Sequence, residues 1–178
     1  MGWFSPVKGS YPSLAQVDKA LPIAAGASKI ERGTIVALVE DSTGKSADGV
    51  FKVASASDKL LYVSLQDDTD PTAGYAGNAF DPTEGGVPKI NGIKLAQEGE
   101  YETSVFDTTK TYKVGQSLYV VDGVLTNAGS GTVVGVVTSP PFERWVNDAI
   151  ALPVGGKDPR LAIRTGANVN VLRFTTEK

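Results

Sequence analysis

The amino-acid sequence predicts a mainly β fold, a single small β-barrel or β-sandwich with an extended N-terminal arm and an extended C-terminal segment. From Gly33 onward, short runs of β-branched residues are separated by turn residues, which is typical of successive strands. Within several of these runs apolar and polar side chains alternate, as they do in half-buried strands. The 20 Gly and 10 Pro among 178 residues favour many turns and few long helices.

Residues 1–30 are predicted to be an extended arm, because they are rich in Pro, Ser, Gly and Ala and prolines interrupt any continuous helix or strand ladder. Ser13 and Gln16 have the spacing of a capping box, which predicts a short helix ending at Pro22. Aromatic and apolar side chains on a polar extension typically anchor in a groove of a partner. The alternative is that they fold back onto the parent domain. The predicted anchors are Trp3, Phe4, Tyr11 and Leu14.

Residues 31–140 are predicted to form the β domain. Its first part has the pattern of a strand, a turn and a strand, over residues 34–40 and 50–53. The turn contains Gly-Lys-Ser at 44–46, which resembles the end of a phosphate-binding loop but has Val39 where that motif needs glycine. In the next strand every second residue is apolar and would point into the core. These residues are Leu61, Val63 and Leu65.

A long loop excursion is predicted over residues 67–92, which combine acidic residues with many Gly and Pro and end in Asn91-Gly92. Long loops in compact domains are usually functional or disordered. Three aspartates at the start of the excursion offer oxygen ligands for Ca²⁺, but their spacing is not that of an EF-hand loop. We therefore interpret them as solvated loop residues and predict no metal site. They are Asp67, Asp68 and Asp70.

A tight hairpin is predicted where Asp122-Gly123 separates two β-forming runs, residues 117–121 and 124–126. This dipeptide favours the two-residue turns whose twist matches that of the flanking strands.

The last strand of the domain is predicted over residues 132–138. Pro140-Pro141 is predicted to end it, since tandem prolines cannot continue a strand ladder. Beyond them, Phe142 and Trp145 are predicted to cover one end of a barrel.

No catalytic residue is predicted. The absence of His and Cys excludes Ser-His-Asp and Cys-His nucleophiles and most zinc, copper and iron sites, and no cofactor is expected. Three glutamates on one face of a strand offer paired carboxylates for glycoside hydrolysis, but a polar outer face is the favoured interpretation because every second residue there should meet solvent. They are Glu98, Glu100 and Glu102.

Residues 141–178 are predicted to be a C-terminal segment or arm with short strands, the last of them at 168–171. Residues 157–178 contain five basic and two acidic residues, whereas residues 66–107 contain nine acidic residues and two lysines. Opposite patches of this kind suit docking between copies or with a partner, because they steer encounter and set register. The alternative is two solvated faces. The basic residues predicted to contact a partner are Arg160, Arg164 and Arg173.

The net charge and the hydropathy pattern exclude two classes of partner. A net charge of −3 would weakly repel a phosphate backbone, so we expect no nucleic acid. No apolar run approaches the roughly 20 residues that cross a bilayer, so we expect no membrane association.

Part of the sequence resembles a known family. The run YKVGQSLYV at 112–120, the run GVLT at 123–126 and the run VGVV at 134–137 are similar to those of small β-barrel decoration (cement) proteins of tailed-bacteriophage heads. Gly33 with residues 34–39 resembles the first strand of the same kind of barrel. The resemblance covers about half of the chain.

This resemblance implies a non-catalytic virion protein that is made in the host cytoplasm and lies on the capsid surface. It implies the major capsid protein as partner, self-association as a homotrimer, and clamping of neighbouring capsomers by arms.

Three alternatives remain open at this stage. One is another virion subunit, such as a tail-tube or head-completion protein. The second is a carbohydrate- or cell-surface-binding module, which would expose clustered aromatics, although the tyrosines are better interpreted as cross-strand packing pairs. They are Tyr62, Tyr101, Tyr112 and Tyr119. The third is a hydrolase that uses carboxylates or a Ser-Lys dyad.

Overall fold

A computed structural model describes most of the chain in these ranges: 4–9, 17–24, 30, 33–64, 89–95, 99–151 and 163–176. Within them lie eleven strands and no helix, arranged in two antiparallel sheets. The mainly β prediction is therefore confirmed for the described part of the chain. No helix in those ranges is long and apolar enough to span a membrane.

The first sheet has six strands. In spatial order they are β1 (Phe4–Gly9), β7 (Gly99–Thr103), β11 (Ile163–Thr175), β10 (Val133–Ala151), β8 (Ser117–Val121) and β9 (Val124–Thr126). The second sheet has five. In spatial order they are β2 (Val17–Pro22), β6 (Lys89–Lys94), β5 (Leu61–Ser64), β3 (Ile35–Val39) and β4 (Val50–Val53).

The main core lies between the two sheets, because alternate residues of their strands point toward each other. From the second sheet it takes Ile35 and Val63, and from the first sheet Leu118, Leu172 and Phe174, all of them fully buried. A smaller core lies on the opposite face of the second sheet. It contains Leu21, Ile30, Val36, Phe51, Tyr62 and Ile90.

The predicted N-terminal arm supplies an edge strand to each sheet. β1 pairs with β7 and β2 pairs with β6. Pro6 is accommodated because β1 is an edge strand whose register shifts between Pro6 and Lys8. The short helix predicted to end at Pro22 is wrong over β2, which is a strand paired with β6. This pairing buries Leu21, whereas a helix of one or two turns would need another surface to pack on.

The Asn91-Gly92 pair, at the end of the predicted loop excursion, does not lie in a loop. Both residues lie inside β6, and residues 65–88, which include Leu65 and most of the predicted excursion, are outside the described residues. A Cβ on Gly92 would come within 2.7 Å of Phe51 Cζ, so the glycine provides room for a core ring. An Asn-Gly pair that signals a turn in sequence is used here for close packing.

The hairpin predicted at Asp122-Gly123 is confirmed. β8 and β9 pair from Tyr119 with Thr126 to Val121 with Val124, and the two turn residues have φ values of 48° and 74°. Both values are positive, as a type I′ turn requires.

The prediction that Pro140-Pro141 ends a strand is wrong. β10 has 19 residues and continues through both prolines, so the predicted boundary between residues 140 and 141 falls inside it. The prolines lie where the pairing with β11 shifts, between Ser139 opposite Arg173 and Phe142 opposite Val171. Pairing with β8 has already ended at Val136, so a missing N–H costs no ladder bond on that side.

Candidate interaction surface

The outer halves of β10 and β11 form a two-stranded ribbon, residues 142–151 and 163–171. Its pairing runs from Phe142 opposite Val171 to Ala151 opposite Ile163. At roughly 3.3 Å per residue the ribbon is about 30 Å long. In the described part of the chain, β7 pairs with β11 only from Leu172 onward and β8 pairs with β10 only up to Val136. The ribbon therefore extends beyond β7 and β8, the strands that flank the inner halves of β10 and β11.

One face of the ribbon carries a small apolar cluster. Val171 is fully buried and packs with Phe142 and Val169, which are partly buried. The guanidinium carbon of Arg173 lies 5.3 Å from the centroid of the Phe142 ring, within cation–π range. This cluster is separate from the main core, because Leu172 and Phe174 point to the opposite side of β11.

The other face of the ribbon exposes polar residues and one large aromatic. Glu143, Asn168 and Asn170 are exposed, and Trp145 is 62% exposed. The prediction that Trp145 covers a barrel end is therefore wrong, because β10 carries it past the prolines and onto the ribbon. An exposed Trp among polar side chains is a typical anchor at protein interfaces.

A buried ion cluster lies at the base of the ribbon. The Glu102 side chain, on β7, is 0% exposed, whereas those of Arg144 and Arg173 are 42% and 29% exposed. Arg173 donates to Glu102 Oε1 through Nε at 2.9 Å and also through Nη2, and Arg144 Nη1 donates to the same oxygen at 3.0 Å. Oε2 lies 3.0 Å from Arg144 Nη1 but accepts no aligned hydrogen bond from the described residues.

Glu102 corrects the predicted polar outer face. Strand alternation does place Glu100 and Glu102 on the face of β7 that points away from the core, whereas Tyr101 points into the core. Of the two glutamates only Glu100 is partly exposed, and it accepts a 2.8 Å hydrogen bond from Thr138 Oγ1. Glu102 is buried because two arginines from β10 and β11 meet it. Glu98 lies outside the described residues.

The ion cluster has the chemistry of a structural contact. Two guanidinium groups enclose one buried carboxylate and direct their N–H groups at it. The described ranges hold no group of three acidic residues placed to bind a metal ion.

The turn at 44–46 is also structural. The Asp41 carboxylate accepts N–H groups from Thr43, Lys45 and Ser46 at 2.9–3.0 Å. The Thr43 hydroxyl also donates to this carboxylate at 2.7 Å, and its bond, followed by the N–H bonds, lowers the pKa of Asp41. A loop closed on its own carboxylate does not have the geometry of a phosphate cradle.

The predicted cross-strand packing of the tyrosines is confirmed for Tyr101, which lies directly opposite Phe174 on the adjacent strand. Tyr62, Tyr101 and Tyr112 are buried, with ring centroids 5.2, 5.7 and 5.6 Å from those of Phe51, Phe174 and Phe106. Tyr119 is partly exposed. Such pairs stabilise the sheets and leave no cluster of open tyrosine rings among these residues.

The predicted partner-binding residues are only partly placed. Phe4 lies in β1 and Arg164 in β11, by their backbone pairing. Arg173 binds Glu102 at the base of the ribbon. The structure brings it together with Arg144, which sequence reasoning missed. Outside the described residues lie Trp3, Tyr11, Leu14 and Arg160.

Comparison of the chain with protein-family models, with curated protein sequences and with solved structures finds no match.

Proposed function

We propose that this chain is a non-catalytic decoration (cement) protein of a tailed-bacteriophage capsid, which binds the outside of the assembled shell as a homotrimer and clamps neighbouring capsomers. The observation that carries the proposal is the ribbon, a two-stranded extension about 30 Å long that presents Trp145. The resemblance of residues 112–137 to such proteins supports the same conclusion.

The ribbon is suited to docking because of its energetics. An isolated pair of strands is marginally stable in water, and it gains stability when another surface packs against it. A capsomer surface that accepts Trp145 would supply that layer and exclude water from the indole. The body, with its own core, would keep the ribbon in place.

For the body we propose a small barrel in preference to an open sandwich. Isolated bridges connect Ile23 with Phe51 and Phe106 with Leu125. The first joins the end of β2 to β4, so the outer strands of the second sheet curve toward one another, and the second joins the chain after β7 to β9. Curving of this kind protects sheet edges from unwanted pairing.

The main alternative is a ring- or tube-forming virion subunit. It is favoured by β1 and β2, each of which pairs with one neighbour in the described part of the chain. Edge strands of this kind can pair between copies and generate rings.

The test is solution mass at several concentrations, alone and with heads assembled from the major capsid protein of the same viral genome. We expect a trimer that co-sediments with the heads. Trp145→Ala should weaken co-sedimentation at least tenfold, because a buried aromatic anchor typically contributes about 2 kcal/mol or more. Leu60→Ala is the matched control, since Leu60 is an exposed apolar side chain, 51% exposed, next to the second sheet.

Each outcome has a definite meaning. Rings or tubes formed without heads would favour the alternative subunit. A monomer that ignores heads would contradict the proposal, and equal loss of binding in Leu60→Ala would show that Trp145 is not a specific anchor.

A further inference from the structure

The Glu102 carboxylate is an unusual group for the outer side of a sheet. It is fully buried, on the face of β7 opposite the main core. A charge taken out of water needs compensating partners, and removal of those partners is strongly destabilising. The partners here are Arg173, directly opposite on β11, and Arg144, on the ribbon.

The contact with Arg144 reaches across β11, from the ribbon to β7. Arg144 is opposite Val169 on β11, whereas Glu102 is opposite Arg173, and β7 and β10 lie on either side of β11. In a flat sheet the Cα atoms of Glu102 and Arg144 would be about 16 Å apart, from roughly 3.3 Å per residue along a strand and 4.8 Å between strands. Two extended side chains span most of this separation, and the 3.0 Å contact between them joins the ribbon to β7 across β11. The register shift between Ser139 and Phe142 lies where β10 enters the ribbon, and such β-bulges bend and twist a strand locally.

We infer that Glu102 is a latch that holds the ribbon at a fixed angle to the body. The carboxylate joins a guanidinium group of the ribbon to one in the body part of β11. Without its charge, Arg144 and Arg173 would be neighbouring like charges with access to solvent, and the base of the ribbon would open. Because a ribbon held in one orientation loses less freedom on docking, the latch would strengthen binding without touching the partner.

The latch can be tested without any partner, so its failure is distinguishable from failure of the proposed function. In a Trp3→Phe background Trp145 is the single tryptophan, and its time-resolved fluorescence anisotropy reports ribbon motion. With Glu102→Gln we expect a larger fast component of the decay. Amide exchange at residues 142–145 and 168–171 should accelerate at least about tenfold, the equivalent of 1.4 kcal/mol. Exchange in β3 should stay at the parent rate.

Glu100→Gln is the matched control, because it removes the same charge from the same strand and face but contacts Thr138 instead of an arginine. It should leave both readouts unchanged. Faster exchange in β3 of Glu102→Gln would mean that the substitution also destabilises the body. Arg144→Gln then tests the latch instead, because it removes the other partner of the contact and the Arg144 side chain is already 42% exposed. Unchanged anisotropy and exchange in Arg144→Gln, or equal effects of Glu100→Gln, would overturn the latch.

Discussion

The inner and outer halves of β10 and β11 are continuous in chain and pairing, yet they differ in what covers them. The inner half contributes Val137, Leu172 and Phe174 to the main core, each at most 1% exposed. The outer half pairs mainly with itself and leaves Trp145 62% exposed. The ladder is common to both halves, so the layer packed against it, and not the ladder itself, decides whether a strand pair is stable on its own. The inner half is built for stability and the outer half for presenting a surface.

The difference in stability between the body and the ribbon is tested most strongly by deleting residues from each of them. Deleting residues 1–22 removes β1, β2 and the buried Leu21, whose truncation alone would cost about 2–5 kcal/mol. We expect this variant to show no cooperative unfolding transition in circular dichroism, whereas the full chain should show one. Shortening the ribbon by joining Arg144 to Val169 through Asn-Gly preserves their pairing and supplies a two-residue turn. This second variant should fold with the parent's midpoint. A folded product of the first deletion, or an unfolded product of the second, would contradict the division.

A sharper comparison uses two adjacent residues of β11. Leu172 and Val171 are both 0% exposed, but Leu172 lies in the main core and Val171 in the ribbon cluster. Leu172→Ala should lower the free energy of unfolding by about 2–5 kcal/mol in urea titration. Val171→Ala should lower it by about 1.6 kcal/mol or less, from the carbon groups removed. In Val171→Ala, amide exchange should accelerate first at Phe142 and Val169. Equal effects on the global transition would mean that the two halves unfold as one unit.

Sequence reasoning succeeded where local chemistry decides the structure. Asp122-Gly123 specifies its own turn, and the alternation of Leu61 and Val63 specifies a core face, so the hairpin and the strand could be predicted. Gly92 shows the limit of such signals. Its place in β6 depends on the distant ring of Phe51, which no local pattern reveals.

The candidate site was missed for one physical reason. Pro140-Pro141 would end a central strand, but β10 has left β8 by then and the register with β11 shifts there, so the strand continues. Without that continuation there is no ribbon, Arg144 has no path to Glu102, and the alternation of the glutamates indicates only a solvated face. The face was assigned correctly, whereas its burial depended on residues 42 and 71 positions further along the chain.

Alkaline pH should weaken the body through the Tyr112 phenol. Burial, together with the charge of Asp107, raises the pKa of Tyr112 to about 12 from the ordinary value of 10. The protonated phenol donates to the carbonyl oxygen of Asp107 at 2.9 Å, and a phenolate would lose that bond. Because the folded pKa is the higher one, this stabilisation is complete below pH 10 and is lost as pH rises toward 12. The loss should be on the order of 2 kcal/mol.

Urea titrations between pH 9 and 12 measure this loss, with Tyr112→Phe as the control. The phenylalanine variant starts about 1 kcal/mol lower, because it lacks the hydroxyl bond, but it should decline less steeply above pH 10. The Tyr112 phenol lies in the main core and not among the contacts of Glu102 with Arg144 and Arg173, so its ionisation should not open the base of the ribbon before the body. Amide exchange at residues 142–145 should therefore follow the global transition. Parallel slopes for the two proteins would show that Tyr112 does not carry the alkaline response of the body. Earlier opening of the ribbon would show that the ribbon responds to alkaline pH separately from the body.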